Sequence, residues 1–169
     1  MTCQDNAAPQ VSPVYGPVDS WRYGRSLGID LILETSFCAF NCIYCQLGEI
    51  LRHEDRQETF VPTEDVMAAL ERVDWSDVDV VTLSGNGEPT QALNIGEVID
   101  SIRAKYDKPV HVLTNAAWLF DAATRERLRH AAVVDCKLDA GTEKTFGKMN
   151  RPAEGVTLAR CVEGIKAMR

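Results

Sequence analysis

Three cysteines grouped in one short segment are the residues of this 169-residue chain best suited to chemistry. They stand in the stretch Cys38-Ala-Phe-Asn-Cys42-Ile-Tyr-Cys45, so their spacing is Cys-x3-Cys-x2-Cys. Thiolates are soft ligands, and three of them in one loop suit three corners of a cubane iron-sulfur cluster. Because the loop has no fourth cysteine, the pattern predicts one iron that stays open to a small chelating molecule.

Other uses of these cysteines stay open on spacing alone. A zinc ion held by the three thiolates and His53 would make a structural site. Cys42 and Cys45 would form a redox pair if they bound no metal. Cys136, further along the chain, would close an iron-sulfur cluster as its fourth ligand and leave that cluster structural or electron-carrying.

A second candidate segment is the loop Gly85-Asn86-Gly87-Glu88-Pro89, which follows a predicted strand. Its glycines permit a close approach of the backbone to a ligand. The carboxylate of Glu88 can accept a charge-assisted hydrogen bond from an ammonium group. The segment is therefore a candidate site for an amino group, although an ordinary turn would use the same residues.

Polar residues follow two later strands in the same way. Thr114 and Asn115 come directly after one apolar run, and Lys137 and Asp139 come at the end of the next. Lys137 and Asp139 would equally suit a salt bridge at a strand end. The position of all four residues makes them candidates for the same site as the cysteines.

Strand-like and helix-like segments alternate along the chain and must position these loops. Short apolar runs predict strands at 28–33, 78–83, 110–114 and 133–138. Helices are predicted after a cap at Thr63, from Asn94 with Glu97 in a capping box, and at 121–130 and 156–168. This alternation predicts a parallel sheet with right-handed crossovers and a site beyond the carboxyl ends of its strands.

The predicted fold class is therefore α/β, with an N-terminal arm at 1–20 and one core domain at 21–169. The arm is rich in proline and glycine, and we expect it to be partly disordered. About four strand-helix units amount to half of an eight-unit barrel. We expect a partial (βα) barrel whose C-terminal strands are missing from this sequence.

Composition limits the class of partner. Eighteen basic and 25 acidic residues give a net charge of −7, which argues against a surface that grips a polyanion. No apolar stretch approaches the roughly 20 residues of a membrane-spanning helix. The first residues lack the basic start and apolar middle of a secretion signal, so we expect a protein of the cytoplasm without membrane contact.

The motifs resemble those of a known family. Cys-x3-Cys-x2-Cys with an aromatic residue, Tyr44, before the last cysteine resembles the signature of the radical S-adenosylmethionine (SAM) superfamily. The loop 85–89 is similar to the Gly-Gly-Glu-Pro motif of that superfamily, with Asn86 inserted. The resemblance implies a partial barrel of radical SAM type and a 4Fe-4S cluster on the three cysteines. It also implies reductive cleavage of S-adenosylmethionine to a 5′-deoxyadenosyl radical, which abstracts hydrogen from an unknown substrate.

The same resemblance suggests roles for the other candidate residues. It places Gly85, Asn86, Gly87 and Glu88 near the methionine amino group, Thr114 and Asn115 on the ribose side of the cofactor, Lys137 and Asp139 against ribose or substrate, and Tyr44 beside adenine or in the core. It implies an electron donor such as a flavodoxin or ferredoxin.

A closer resemblance extends over nearly the whole chain. The motifs Gly24-Arg-Ser-Leu-Gly-Ile29, Lys137-Leu-Asp-Ala-Gly141 and Asn150-Arg-Pro152 are similar to those of radical enzymes grouped with tRNA wyosine-base synthases. That group makes tRNA a candidate partner, whereas the net charge of −7 argues against it. The alternative function is a non-catalytic metal module, with zinc or a closed cluster, that docks on a partner.

Overall fold

A computed structural model describes residues 11–33 and 35–168 of the chain. The strands within these residues are β1 Val14–Ser20, β2 Gly24–Ile29, β3 Phe37–Cys38, β4 Arg52–His53, β5 Val80–Leu83, β6 Val110–Thr114 and β7 Val133–Cys136. The helices there are α1 Thr63–Leu70, α2 Ile95–Tyr106, α3 Ala122–Arg127, α4 Glu143–Met149 and α5 Leu158–Ala167. None of the helices in this described part of the chain has the length and apolar content that a membrane crossing needs.

The predicted α/β fold with a mostly parallel sheet is confirmed. In the described residues, five strands form one sheet in the order β1-β2-β5-β6-β7. β2, β5, β6 and β7 are parallel, and β1 pairs antiparallel with β2. The carboxyl ends of the four parallel strands therefore meet at one edge, where the candidate loops begin.

The core packs helices against one face of this sheet. On β6, Val110, Val112 and Thr114 are buried, while His111 and Leu113 alternate onto the opposite, half-buried face. The apolar stripe of α2 is fully buried against the sheet; it consists of Ile95, Val98, Ile99 and Ile102. The face that carries Leu113 is left to form the wall of a cavity.

The N-terminal segment differs from its prediction. Residues 14–20, predicted to belong to a partly disordered arm, form strand β1 and pair with β2. Gly16 and Pro17 prevent a helix but interrupt the ladder only by a shift of register between Tyr15 and Val18. Cys3 and the rest of 1–10 lie outside the described residues.

The first parallel strand ends earlier than predicted. The prediction of a strand at 28–33 is wrong in its bounds, because β2 covers Gly24–Ile29. Asp30 turns the chain: its Oδ1 accepts the N–H groups of Ile32 at 2.9 Å and Leu33 at 3.1 Å. The apolar residues after Ile29 thus fill the core from a loop, which an apolar run alone does not distinguish from a strand.

The predicted caps of α1 and α2 are wrong in their partners. Pro62 occupies the N-cap of α1, and Thr63 donates its hydroxyl to Glu97 Oε2 at 2.9 Å. Asn94 holds the N-cap position of α2, but its side chain donates to Val61 O and Thr63 Oγ1 at 2.9 and 3.1 Å. These polar groups therefore join the two helices and form no capping box.

The later elements follow the predicted order with shifted ends. Strand β6 has the predicted bounds, whereas β5, β7, α3 and α5 are shorter than the predicted segments. Helix α4 was missed, because its seven residues include Gly147 and bury only Phe146. So short a helix gives little periodic signal in a sequence.

Candidate functional site

The cysteine loop begins where it pairs with the loop after β5. Phe37 forms a parallel bridge with Gly87, its N–H donates to Asn86 O at 3.0 Å, and its carbonyl accepts the N–H of Glu88 at 3.1 Å. A Cβ atom at Gly87 would lie 1.8 Å from Phe37 O. Glycine is therefore required here by the approach of two protein backbones.

Asp30, directly after β2, supports the same loop. Its Oδ2 accepts the N–H of Asn86 at 2.9 Å. A Cβ atom at Gly85 would lie 2.3 Å from Asp30 Cγ, so the carboxyl group occupies the space that a side chain would need. The loop after β5 is thus held by the end of β2 on one side and by the cysteine loop on the other.

The rest of the cysteine loop is anchored to two further segments. Gln91 Oε1 accepts the N–H of Ala39 at 2.8 Å. The N–H groups of Asn41 and Ile43 donate to Asn150 O and Met149 O at 3.0 and 2.9 Å. Hydrogen bonds from its backbone therefore hold the start and the middle of the loop.

One cavity of about 360 Å³ lies at the carboxyl edge of the sheet and collects most of the predicted site residues. Its walls include Cys38, Cys42, Cys45, Tyr44, Gly85, Gly87, Glu88, Thr114, Asn115 and Lys137. The predicted site residues Asn86 and Asp139 are not among its lining residues. A larger cavity, of about 620 Å³, lies beside α1 and contains none of the predicted site residues.

Cys38 is partly buried in the wall of the cavity. Its Sγ accepts the N–H of Phe40 and the side-chain amide of Asn115, each at 3.3 Å. Burial, with the charge of Glu88, raises the pKa of this thiol to about 12. The thiol therefore holds its proton in the metal-free protein, and ligation of a metal would release that proton.

Glu88 is a buried carboxylate that organises the cavity floor. It is 2% exposed and accepts hydrogen bonds at Oε1 from Thr90 N, Thr90 Oγ1 and Thr114 Oγ1 at 3.0, 2.6 and 2.6 Å. Its Oε2 accepts the N–H of Asn115 at 2.7 Å. Burial raises the pKa of Glu88, and these hydrogen bonds oppose that rise. Oε2 keeps capacity for one more donor.

A polar cluster surrounds Cys42. The hydroxyl of Tyr44 donates to Asp139, and Lys137 Nζ lies 3.1 Å from that hydroxyl and 3.3 Å from Asp139 Oδ2. Lys137 Nζ and Asn150 Nδ2 also donate to Cys42 Sγ at 3.6 and 3.5 Å. We call these four residues around Cys42, namely Tyr44, Lys137, Asp139 and Asn150, the Cys42 cluster.

The Cys42 cluster shifts the pKa of its members. Burial and the hydrogen bond to Asp139 raise the pKa of Tyr44 to about 12. Burial alone would lower the pKa of Lys137, but Tyr44 and the charges of Cys42 and Asp139 raise it. Lys137 is thus a cation beside the sulfur of Cys42 across the physiological pH range.

Asn150 was missed as a site residue by sequence reasoning. It is 2% exposed, and its amide also donates to Tyr44 Oη at 2.9 Å and Asp139 Oδ2 at 3.1 Å. The motif Asn150-Arg-Pro152 was the available signal, but nothing in it connects the residue with a loop more than 100 positions earlier. Only the turn after α4 brings Asn150 to Cys42.

Asp135 and Arg22 line the cavity and were also missed as site residues. Asp135 Oδ2 accepts Arg22 Nη1 at 2.8 Å and the hydroxyl of Tyr23 at 2.6 Å. The rings of Tyr23 and His111 pack edge to face, with 4.6 Å between their centroids. The turn between β1 and β2 therefore contributes a charged side chain to the cavity.

The three cysteines of the loop line the cavity, whereas the two alternative ligands, Cys136 and His53, do not. Cys136 does not line the cavity, and its Sγ lies 3.7 Å from Val134 O. His53 Nε2 lies 3.3 Å from Ala39 O and is also outside the cavity lining. Among residues 11–33 and 35–168, no three His, Cys, Asp or Glu side chains converge as one metal ion would require. A cubane instead engages each cysteine at a different iron.

Known proteins are similar to this chain over most of its length. A UPF0026 protein of Synechocystis sp., slr1464, is 47% identical over 156 residues, or 92% of this chain and 59% of that protein. The UPF0026 protein MJ1312 of Methanocaldococcus jannaschii is 30% identical over 159 residues, or 92% of this chain and 49% of that protein. The chain thus spans about half the length of the curated relatives it matches.

A more distant relative is named as an enzyme. A probable GTP 3′,8-cyclase of Saccharolobus islandicus is 28% identical over 147 residues, which are 86% of this chain and 45% of that protein. Residues 32–169 match the sequence model of a family that is described as the radical SAM superfamily. This span includes the cysteine loop and most of the residues that line the cavity. The chain belongs to the radical SAM superfamily.

Proposed function

We propose that this chain is the radical SAM domain of an iron-sulfur enzyme, with a 4Fe-4S cluster held by Cys38, Cys42 and Cys45. The observation that carries the proposal is the single cavity in which these cysteines meet Glu88 and Lys137. When bound, the reduced cluster supplies the electron that splits a carbon-sulfur bond of S-adenosylmethionine and releases a 5′-deoxyadenosyl radical for hydrogen abstraction.

The residues of the chain would bind and orient the cofactor. Glu88, Gly85 and Gly87 line the cavity and would suit the methionine amino group. Thr114 and Asn115 also line the cavity, Asn86 would hold the cysteine loop in place through its bond to Phe37, and Tyr44 offers an aromatic face. Together with the sheet, these groups would keep water away from the reacting atoms.

The finer assignments belong to the same proposal. We infer that the sheet is part of a partial (βα) barrel of radical SAM type, and that the protein works in the cytoplasm with a flavodoxin or ferredoxin as electron donor. The motifs at 137–141 and 150–152 support a grouping with the wyosine-base synthases. The net charge of −7 argues against tRNA as the substrate, because a nucleic acid is bound through many basic side chains.

The test is cleavage of S-adenosylmethionine to 5′-deoxyadenosine by the anaerobically reconstituted, dithionite-reduced chain. A variant with Cys38, Cys42 and Cys45 changed to serine should hold no cluster and cleave nothing. Cys136→Ser is the matched control, because its sulfur lies outside the cavity lining, and it should keep both cluster and cleavage. Loss of the cluster in Cys136→Ser, or cleavage by the triple variant, would refute the proposal.

A further inference from the structure

The three cysteine sulfurs of the site have different surroundings. Cys38 Sγ accepts hydrogen bonds from two neutral groups, the N–H of Phe40 and the amide of Asn115. Cys42 Sγ accepts one from the amide of Asn150 and one from the ammonium group of Lys137. Within the described part of the chain, no protein donor is hydrogen-bonded to the sulfur of Cys45. Of the three sulfurs, that of Cys42 is therefore the one with a hydrogen bond from a charged group among the described residues.

The position of Lys137 is set by the rest of the Cys42 cluster. Its ammonium group lies 3.1 Å from Tyr44 Oη, 3.3 Å from Asp139 Oδ2 and 4.9 Å from the centre of the Tyr44 ring. Its side chain is 40% exposed, so solvent reaches it in the metal-free protein. These three contacts nevertheless keep the ammonium group 3.6 Å from Cys42 Sγ.

The side-chain amide of Asn150 is a second donor to Cys42, and its orientation is fixed by its surroundings. Asn150 is 2% exposed, and its Nδ2 has Tyr44 Oη, Asp139 Oδ2 and Cys42 Sγ as acceptors. All of these acceptors carry negative charge or a lone pair, which fixes the nitrogen on this side. Both donors to Cys42 are thus part of the folded protein before any cofactor binds.

We propose that Lys137, with Asn150, acts as a positioning residue that makes the cluster on these cysteines easier to reduce by donating to Cys42 Sγ. Reduction adds negative charge to a cluster, and hydrogen bonds and positive charge at its sulfurs stabilise the reduced form more than the oxidised form. Lys137 thereby serves the ligand thiolate and need not contact ribose or substrate. The inference rests on the proposed function, because it requires a cluster at this site.

The experiment is a redox titration of the reconstituted chain without S-adenosylmethionine, followed by the electron paramagnetic resonance signal of the reduced cluster. Iron and sulfide are measured in every sample, so that only proteins with equal cluster content are compared. Lys137→Met removes the charge and the donor, and Lys137→Gln keeps a donor without the charge. Lys144→Met is the matched control. Lys144 is exposed on α4, so this substitution removes one positive charge at a position outside the Cys42 cluster.

We expect the ratio of reduced to oxidised cluster at a fixed potential to fall about tenfold in Lys137→Met, which is 59 mV for a one-electron couple. Lys137→Gln should shift the potential in the same direction by less, and Lys144→Met should match the unchanged protein. If Lys137→Met does not assemble the cluster, the test rests on Lys137→Gln: a lower reduction potential supports the inference, and an unchanged or higher one overturns it. An intact cluster with an unchanged or higher potential in these variants overturns the inference alone, whereas failure of the unchanged protein to hold a cluster refutes the proposed function as well.

Discussion

At the scale of single residues, Gly87 marks the closest approach of two backbones in the site. Replacement by alanine would place a Cβ atom 1.8 Å from Phe37 O, where neither backbone has a flexible end to move. We expect Gly87→Ala to lower the free energy of unfolding by about 3 kcal/mol, as for other overpacked sites. Urea unfolding followed by circular dichroism measures this change.

A second glycine provides the control for that substitution. Gly141 has no atom within 4 Å of an added Cβ, so Gly141→Ala should change the stability by less than about 1 kcal/mol. Equal effects of the two substitutions would show that contact with Phe37 O does not explain the need for glycine at 87.

The residue types with the strongest chemistry were predictable from the sequence, but their contacts were not. The spacing of the cysteines and the loop at 85–89 indicated one site, and the cavity contains both. The four hydrogen bonds that Glu88 accepts come from two segments, Thr90 in its own loop and Thr114 with Asn115 at the end of β6, so the local pattern alone does not show how its carboxylate is used. Asn150 reaches Cys42 only through the tertiary fold.

At the scale of elements, helix α3 depends on one cap. Asp121 Oδ2 accepts the N–H and the hydroxyl of Thr124 at 2.7 and 2.8 Å. With six residues, α3 has few internal hydrogen bonds to replace a lost cap. We expect Asp121→Ala to cost about 1 kcal/mol in urea unfolding at neutral pH, and Asp121→Asn, which keeps the acceptor, to cost less.

The same cap should depend on pH. Burial alone would raise the pKa of Asp121, but the hydrogen bonds from Thr124 and Ala123 and the charge of Arg127 lower it below 3.8. A carboxyl group with a lowered pKa stabilises the fold above its unfolded pKa and loses that effect as the pH falls through the folded pKa. The difference between the unchanged protein and Asp121→Ala should therefore shrink in acid, and a constant difference would contradict this origin.

The order of elements was predictable because apolar runs and helical stripes differ in period. Strand β6 and the buried stripe of α2 follow these periods along their whole length. Asn94 holds the predicted N-cap position of α2, but the side-chain partners of Thr63, Asn94 and Glu97 were not predictable, because these groups bond across the two helices. Local capping patterns cannot show that a second helix competes for the same polar groups.

At the scale of the whole molecule, the cysteine loop is held by the fold on two sides. Its start pairs with the loop after β5, and its middle is bonded to the turn after α4. These contacts are between protein groups and need no metal. The chain therefore differs from small metal-dependent domains, whose ligand loops have no packed sheet beneath them.

We expect this fold to form without a cluster. A variant with Cys38, Cys42 and Cys45 changed to serine should unfold cooperatively, with a midpoint within ~3 °C of the metal-free unchanged protein, because each thiol is replaced by a hydroxyl of similar size. Thermal unfolding followed by far-ultraviolet circular dichroism measures this midpoint. Cluster assembly in the unchanged protein should then raise its midpoint through ligand binding to the folded state, and leave the serine variant where it was. A metal-free chain without cooperative unfolding would show instead that the cluster, and not the backbone contacts of the loop, organises the carboxyl edge of the sheet.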